Sequence, residues 1–162
     1  MPDRTFARSI MNSRLVTVSP QMSVMEAVGL LLKHRISGAP VTDENNNLVG
    51  IMSELDCVNH ISHSAMNGVP PKLVADLMKT DVKTVSPDTS LLTIAHIFNE
   101  TRFRRLPVVD EEGRLLGQIS RRDLMRTLYE MMKHERKRQE GPLYLSAIYD
   151  TDQAPAKIVR GY

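Results

Sequence analysis

The stretch Leu48-Val49-Gly50-Ile51-Met52-Ser53-Glu54-Leu55-Asp56 reads as a short apolar strand carrying a glycine, followed by Ser-x-x-Asp at the start of a helix. It returns 67 residues later as Leu115-Leu116-Gly117-Gln118-Ile119-Ser120-Arg121-Arg122-Asp123. The same shift pairs Met11 with Met78, Thr17-Val18-Ser19-Pro20 with Thr84-Val85-Ser86-Pro87, and Pro40-Val41 with Pro107-Val108. Between Met11–Cys57 and Met78–Leu124, 15 of 47 positions are identical without a gap. One structural unit is therefore present twice, and two copies related by a pseudo-twofold axis are expected rather than a solenoid.

Each unit reads as β-α-β-β-α. Leu15–Val18 is a short expected strand stopped by Ser19-Pro20. Ser23 and Glu26 have capping-box spacing, and Val24, Ala27, Val28, Leu31 and Leu32 follow at helical intervals. Gly38–Val41 and Leu48–Met52 flank the polar turn Asp43–Asn47, and Ser53 opens a second helix expected to reach about Ser62. The expected divisions are an arm at 1–9, a first repeat at 10–63, a linker at 64–72, a second repeat at 73–126 and a C-terminal extension at 127–162. In that extension a helix is expected over 121–140, ended by Gly141-Pro142, with a further strand at Leu143–Tyr149.

Composition narrows the function classes. The 162 residues carry 41% apolar and 25% charged side chains, as a soluble globular protein does. No apolar run reaches the roughly 18 residues of a membrane span, and the N-terminus lacks the apolar stretch of a secretory signal. Cys57 is the only cysteine, which fits a reducing compartment, and a cytoplasmic location is expected. A net charge of +2, no Trp and 4% aromatics argue against nucleic-acid binding. Cys57, His60 and His63 share one helix, but a residue six positions on is turned about 120° away, so one zinc ion cannot collect all three. No nucleophile elbow, phosphate-cradling glycine loop or metal triad stands out, and no enzyme is expected.

The joint order of these motifs, twice over, resembles a pair of CBS domains, the tandem called a Bateman module. The residues that carry the resemblance are the Thr-Val-Ser-Pro runs, Ala39-Pro40-Val41 and Leu106-Pro107-Val108, the Asp-turn-Gly hairpins, and both Ser-x-x-Asp motifs, over about Ile10 to Arg126. It implies an α+β fold of two repeats packed through their sheets, two clefts between them, and homodimers in which two pairs form a disc. It also implies a non-enzymatic regulatory module that binds AMP, ADP, ATP or S-adenosylmethionine as regulatory ligand, with no obligatory cofactor, and that works with a separate effector protein. The alternative is a homodimeric scaffold with vestigial clefts, binding a partner through the C-terminal helix and tail.

Each candidate site residue has two readings. A Ser that ends a strand caps the helix it opens, and Asp at the third helical position answers free amides at the positive helix end. That accounts for Ser53–Asp56 and Ser120–Asp123 without any ligand. The resemblance adds that Asp56 and Asp123 take the two vicinal ribose hydroxyls, for which an acceptor-only carboxylate is suited. It places Arg104 and Arg105 toward ligand phosphate, where planar forks suit phosphate oxygens, with Ser37 and Gly38 holding those places in the first repeat. Arg122, and with it Arg121, adds to that basic rim; the plain alternative for all of these is surface charge. Gly38 either leaves room for a base or serves tight packing. Ser13, Leu15, Thr80 and Val82 lie where backbone groups read the adenine edge, and Ile51 flanks the base; Gln118 departs from the apolar residue usual there. The unequal surroundings of the two motifs predict clefts of unequal affinity.

Overall fold

In the computed structural model, residues 5–68, 70 and 72–139 are described. Two compact units divide at Met125/Arg126. The first unit holds α1 (Ala7–Ile10), α2 (Val24–His34), β1 (Gly38–Thr42), β2 (Leu48–Ser53), α3 (Glu54–Asn67), α4 (Val74–Leu77), α5 (Leu91–Glu100), β3 (Arg105–Val109) and β4 (Leu115–Ser120). The helix α6 (Arg121–Gln139) begins there and supplies the described part of the second unit. In that second part Thr127 is buried, while Tyr129, Met131 and Met132 are exposed. The expected stop at Gly141-Pro142 and strand at Leu143–Tyr149 lie outside the described residues.

The fold is α+β: two antiparallel hairpins, β1–β2 and β3–β4, clothed by helices. Their registers correspond residue for residue, Gly38 opposite Ser53 and Arg105 opposite Ser120, with a bulge after Val41 and after Val108. The hairpin turns each need a left-handed residue. Asn46 supplies it at φ 63° in the first and Gly113 at φ 85° in the second. The helix α2 is fixed at both ends. Ser23 and Glu26 form the capping box expected of them, and Arg35 closes the C-terminus in the left-handed region with its amide on Leu31 and Leu32 carbonyls.

The expected strands at Leu15–Val18 and Thr84–Val85 shorten to single parallel bridges, Val18 to Val41 and Val85 to Val108. The reason lies on either side of the bridge. Beyond Val18 the chain turns at Ser19-Pro20. Before it, Asn12 exchanges two backbone hydrogen bonds with Gln118 of the other repeat, donating at 2.9 Å and accepting at 3.0 Å. The segment 13–17 thus crosses between repeats instead of running along its own sheet. Lys79 does the same with Ile51, at 2.9 Å in both directions.

The N-terminal residues 5–9, expected as part of an arm, are built into the second repeat. Ala7 and Arg8 donate to the carbonyls of Thr89 and Pro87, and Ala7 is fully buried. Arg8 also pairs with Asp88. At the equivalent places α4 docks on the first repeat, where Val74 and Ala75 donate to Met22 and Pro20. Val74 is fully buried in a core with Val18, Ala27, Leu31, Val41, Met52 and Cys57. Each repeat therefore completes the other's core. The second helix of the first repeat also runs further than Ser62, to Asn67, because Gly68 adopts φ 59° and caps it with an amide bond to Ser64.

The glycine within the opening motif follows from this exchange. A Cβ on Gly50 would meet Met78 Sδ at 2.8 Å and the Lys79 carbonyl at 3.0 Å. On Gly117 it would meet Met11 Sδ at 2.9 Å and the Asn12 carbonyl at 3.0 Å. The methionine can yield, but the carbonyl belongs to the paired segment. Gly117→Ala is expected to lower the unfolding free energy by about 1–3 kcal/mol in urea denaturation. An unchanged midpoint would show that the crossing segment gives way freely.

Candidate functional site

Strand β2 ends at Ser53 and α3 begins at Glu54, so the motif sits at the corner where the first sheet edge meets a helix N-terminus. The Ser53 hydroxyl accepts from the Asp56 amide at 3.3 Å, while Asp56 Oδ2 accepts from the Ser53 amide at 3.0 Å and from its hydroxyl. The second copy repeats this. Asp123 Oδ2 accepts from the Ser120 amide at 2.8 Å and hydroxyl at 2.6 Å, and Ser120 Oγ accepts from the Asp123 amide at 3.2 Å. The helix-cap reading is thus satisfied at both sites, through one oxygen of each carboxylate. A carboxylate offers about four acceptor positions, so capping does not exhaust it.

The crossing segments decide what faces each motif. Because Lys79 pairs with Ile51, Thr80 and Val82 leave from the edge of the first repeat's sheet, on the Ser53–Asp56 side. Because Asn12 pairs with Gln118, the chain from Ser13 to Val16 lies along the second repeat's sheet. Asn12, Arg14, Leu15, Val16, His34, Ile36, Gly38, Pro40, Arg105 and Gln118 line a shallow cleft of about 190 Å³ there. Gln118 and Ser120 share one face of β4, two residues apart. A larger hollow of about 460 Å³ between Thr84–Asp88 and Val109–Glu111 lies away from both motifs. Its walls carry Asp88, Asp110 and Glu111, which suit no anionic ligand.

Lys79 is the residue that sequence reading missed. Its Nζ lies 3.4 Å from Asp56 Oδ1, with the lysine side chain 68% exposed and the aspartate 15%. Shifting by the repeat length puts Asn12 in its place in the second cleft, and Asn12 instead turns its side-chain oxygen onto the Arg14 amide at 3.0 Å. Alignment of Met11 with Met78 carries the signal, since the next residue on each side is the one that crosses. The basic rim expected only around the second motif therefore has a counterpart: the second repeat sends a lysine onto the first repeat's Ser–Asp corner.

The arginines are divided in their roles. Arg105 is half-buried and spans the repeats, with Nη1 3.4 Å from the Gly38 carbonyl and Nη2 3.4 Å from the Ser37 hydroxyl. Arg121 is taken up structurally: it donates to the Thr101 carbonyl at 3.0 Å and lies 6.0 Å from the Phe98 ring centre. Arg104 and Arg122 are exposed. Gly38 is accounted for by packing, because a Cβ there would stand 2.9 Å from the Met52 carbonyl. Among the described residues no group of three or more His, Cys, Asp or Glu side chains is placed to hold a metal. Cys57 is buried, and that burial, with the Asp56 charge beside it, raises its thiol pKa.

Burial acts to raise the Asp56 pKa, but the Ser53 donors and the Lys79 ammonium together outweigh it, and the carboxyl titrates below its ordinary range. An exposed lysine contributes little to stability as an ion-pair partner, about 0–1 kcal/mol. A lowered folded-state pKa stabilises the fold fully above the unfolded value and is lost as pH falls through the folded one. The stability difference between the natural protein and Asp56→Asn is therefore expected to be largest near neutrality and to shrink below about pH 4, in urea titrations at several pH values. A difference that stays constant down to about pH 3 would contradict the shift.

The family model for the CBS domain matches residues 7–63 and 74–130. The chloroplastic CBS domain-containing protein CBSX2 of Arabidopsis thaliana is 32% identical over 144 residues, 74% of this chain and 60% of that protein. CBSX1 of the same plant is 35% identical, with 74% and 61% covered. The chain thus spans about three-fifths of these relatives' length. Crystalline CBSX2 in complex with AMP superposes with a TM-score of 0.69 at 33% identity, covering 79% of this chain and 98% of that one. The CBS domain pair of MJ0100, in complex with 5′-methylthioadenosine and S-adenosyl-L-methionine, gives 0.67 at 26% identity, covering 78% and 98%. Two matched repeats, the exchanged lead-in segments and the shared fold have one explanation: the chain belongs to the CBS domain family, as a tandem pair.

Proposed function

We propose that the chain is a non-enzymatic sensor that binds adenosine-containing ligands in the two clefts and passes the occupancy on as a change in the pairing of its repeats. The observation that carries this is the composition of each cleft. One repeat supplies the capped Ser–Asp corner and the other supplies the crossing segment, so a ligand in either cleft touches both repeats. Asp56 and Asp123 would accept the ribose hydroxyls through lone pairs that the caps leave. Thr80, Val82 and Ile51 would frame the base in the first cleft, and Ser13, Leu15 and Gln118 in the second. Arg104, Arg105 and Arg122, with Ser37, would lie on the phosphate side. The AMP held by CBSX2 and the S-adenosylmethionine held by MJ0100 support this ligand class. A carboxylate held ionised, as Asp56 is, serves as an acceptor and is poorly suited to donate a proton in catalysis.

Ligand binding shifts the repeats only as far as its affinities for the two arrangements differ. A homodimer is the assembly that would read out such a shift. Its support is the apolar surface that α2 and α3 leave exposed, Met25 and Leu32 on one and Leu55, Val58 and Met66 on the other. A separate effector would then respond to the dimer.

Calorimetry with AMP, ADP, ATP and S-adenosylmethionine, on protein freed of carried-over ligand, is expected to show binding of at least one of them. Asp56→Ala and Asp123→Ala are each expected to weaken one site at least tenfold, the scale of a lost hydrogen bond to a charged group. Absence of heat with all four ligands would refute the adenosine-sensor function.

A further inference from the structure

The crossing segment brings one cationic side chain onto the carboxylate of the first motif. Around Ser53–Asp56 stand Asp56 itself, Glu54 at the helix start, Lys79 beside the carboxylate, and Arg105, whose guanidinium reaches the Ser37 hydroxyl and the carbonyl of Gly38, the strand partner of Ser53. Asp81 stands where Arg14 stands in the second cleft, and Gly38 where the second repeat has Arg105. Lys79 is thus the cation that the crossing segment brings to Asp56, at 3.4 Å from its Oδ1. Its backbone is anchored on both sides by the bonds to Ile51, so the root of the side chain cannot move away. Its ammonium, on a four-carbon stem and mostly exposed, can.

We infer that Lys79 sets the ligand charge that the first cleft accepts, selecting adenosine compounds that carry a 5′-phosphate over uncharged or cationic ones. With no ligand, the ammonium neutralises the carboxylate that the ribose hydroxyls need. An uncharged nucleoside must displace it and leaves it without an anion. A phosphorylated nucleoside frees Asp56 for the ribose and gives the same ammonium a new anionic partner, so the exchange conserves the ion pairing. Without Lys79 the Asp56 carboxylate loses the ammonium beside it, and the cleft would take a phosphate less readily and an uncharged or cationic ligand more readily. In the second cleft the equivalent position is the uncharged Asn12, turned onto the Arg14 amide. The inference rests on the adenosine-binding function above.

The test is calorimetry with AMP and with adenosine on full-length Asp123→Ala protein, which isolates the Asp56 cleft, with and without Lys79→Met. Lys79→Met is expected to weaken AMP about tenfold, the size of one charge-assisted hydrogen bond, while adenosine binds equally or more tightly. Lys79→Arg is expected to retain most of the preference for AMP. A ratio of AMP to adenosine affinity that changes less than twofold in Lys79→Met, with AMP still bound, would overturn the role of Lys79 alone. Loss of both ligands from protein that keeps Lys79 would overturn the adenosine site together with this role. Should Asp123→Ala fail to fold, Asp123→Asn, whose side-chain oxygen can still accept from the Ser120 amide, takes its place in the same comparison.

Discussion

The exchange of backbone hydrogen bonds between the lead-in segment of one repeat and the second strand of the other is the constraint on which the rest of the first unit depends. Asn12 with Gln118 and Lys79 with Ile51 are equivalent pairs under the repeat shift. Each requires a glycine beneath it, at Gly117 and Gly50, because the crossing carbonyl comes within 3.0 Å of where a Cβ would stand. Once those segments cross, α1 and α4 are carried onto the opposite repeats, and their buried Ala7 and Val74 fill cores that neither hairpin could close alone. The hairpin tips follow the same symmetry: Leu48 donates to the Gly113 carbonyl and Leu115 to that of Asn46.

The Ser–Asp corners show how structural and functional demands coexist in four residues. One carboxylate oxygen is committed to the helix start in both copies. That commitment orders the aspartate side chain before any ligand arrives, which is the kind of prior ordering that lowers the cost of binding. The cap is therefore part of what would make the site, and the two readings of the motif do not compete. What separates the copies is the residue that the partner repeat sends across, a lysine in one and an asparagine in the other.

Much of this was legible in the sequence. The repeat shift located both hairpins, the Ser23 capping box and both Ser–Asp caps, because these are local patterns with local causes. The length of Leu15–Val18 as a strand was not legible. Its apolar alternation is real, but which sheet its hydrogen bonds join is settled by distant contacts, of Val18 with Pro40 and Thr42 and of Asn12 with Gln118. The same limit hid Lys79: the match of Met78 with Met11 marks it as the counterpart of Asn12, but its contact with Asp56 of the other repeat is long-range. Residues 5–9 hold two adjacent apolar side chains, Phe6 and Ala7, of which only Ala7 is buried, and one buried alanine makes no visible period. Gly38 has two readings from sequence; the approach of the Met52 carbonyl supports packing, and the residue also lines the cleft beside Arg105 and Gln118.

The exchanged short helices also bear on how such a chain can come into being. A solitary repeat would present an unfilled core and an unpaired strand edge, and a second copy of itself offers the complementary parts of both. Its folding would then depend on protein concentration. Placing two copies in one polypeptide turns that encounter into an intramolecular one, at an effective concentration set by the short connection between α3 and α4. Freed from the need to be identical, the two halves can diverge at the very positions that cross over, and the difference between Asn12 and Lys79 is a divergence that a symmetric pair of separate chains could not hold.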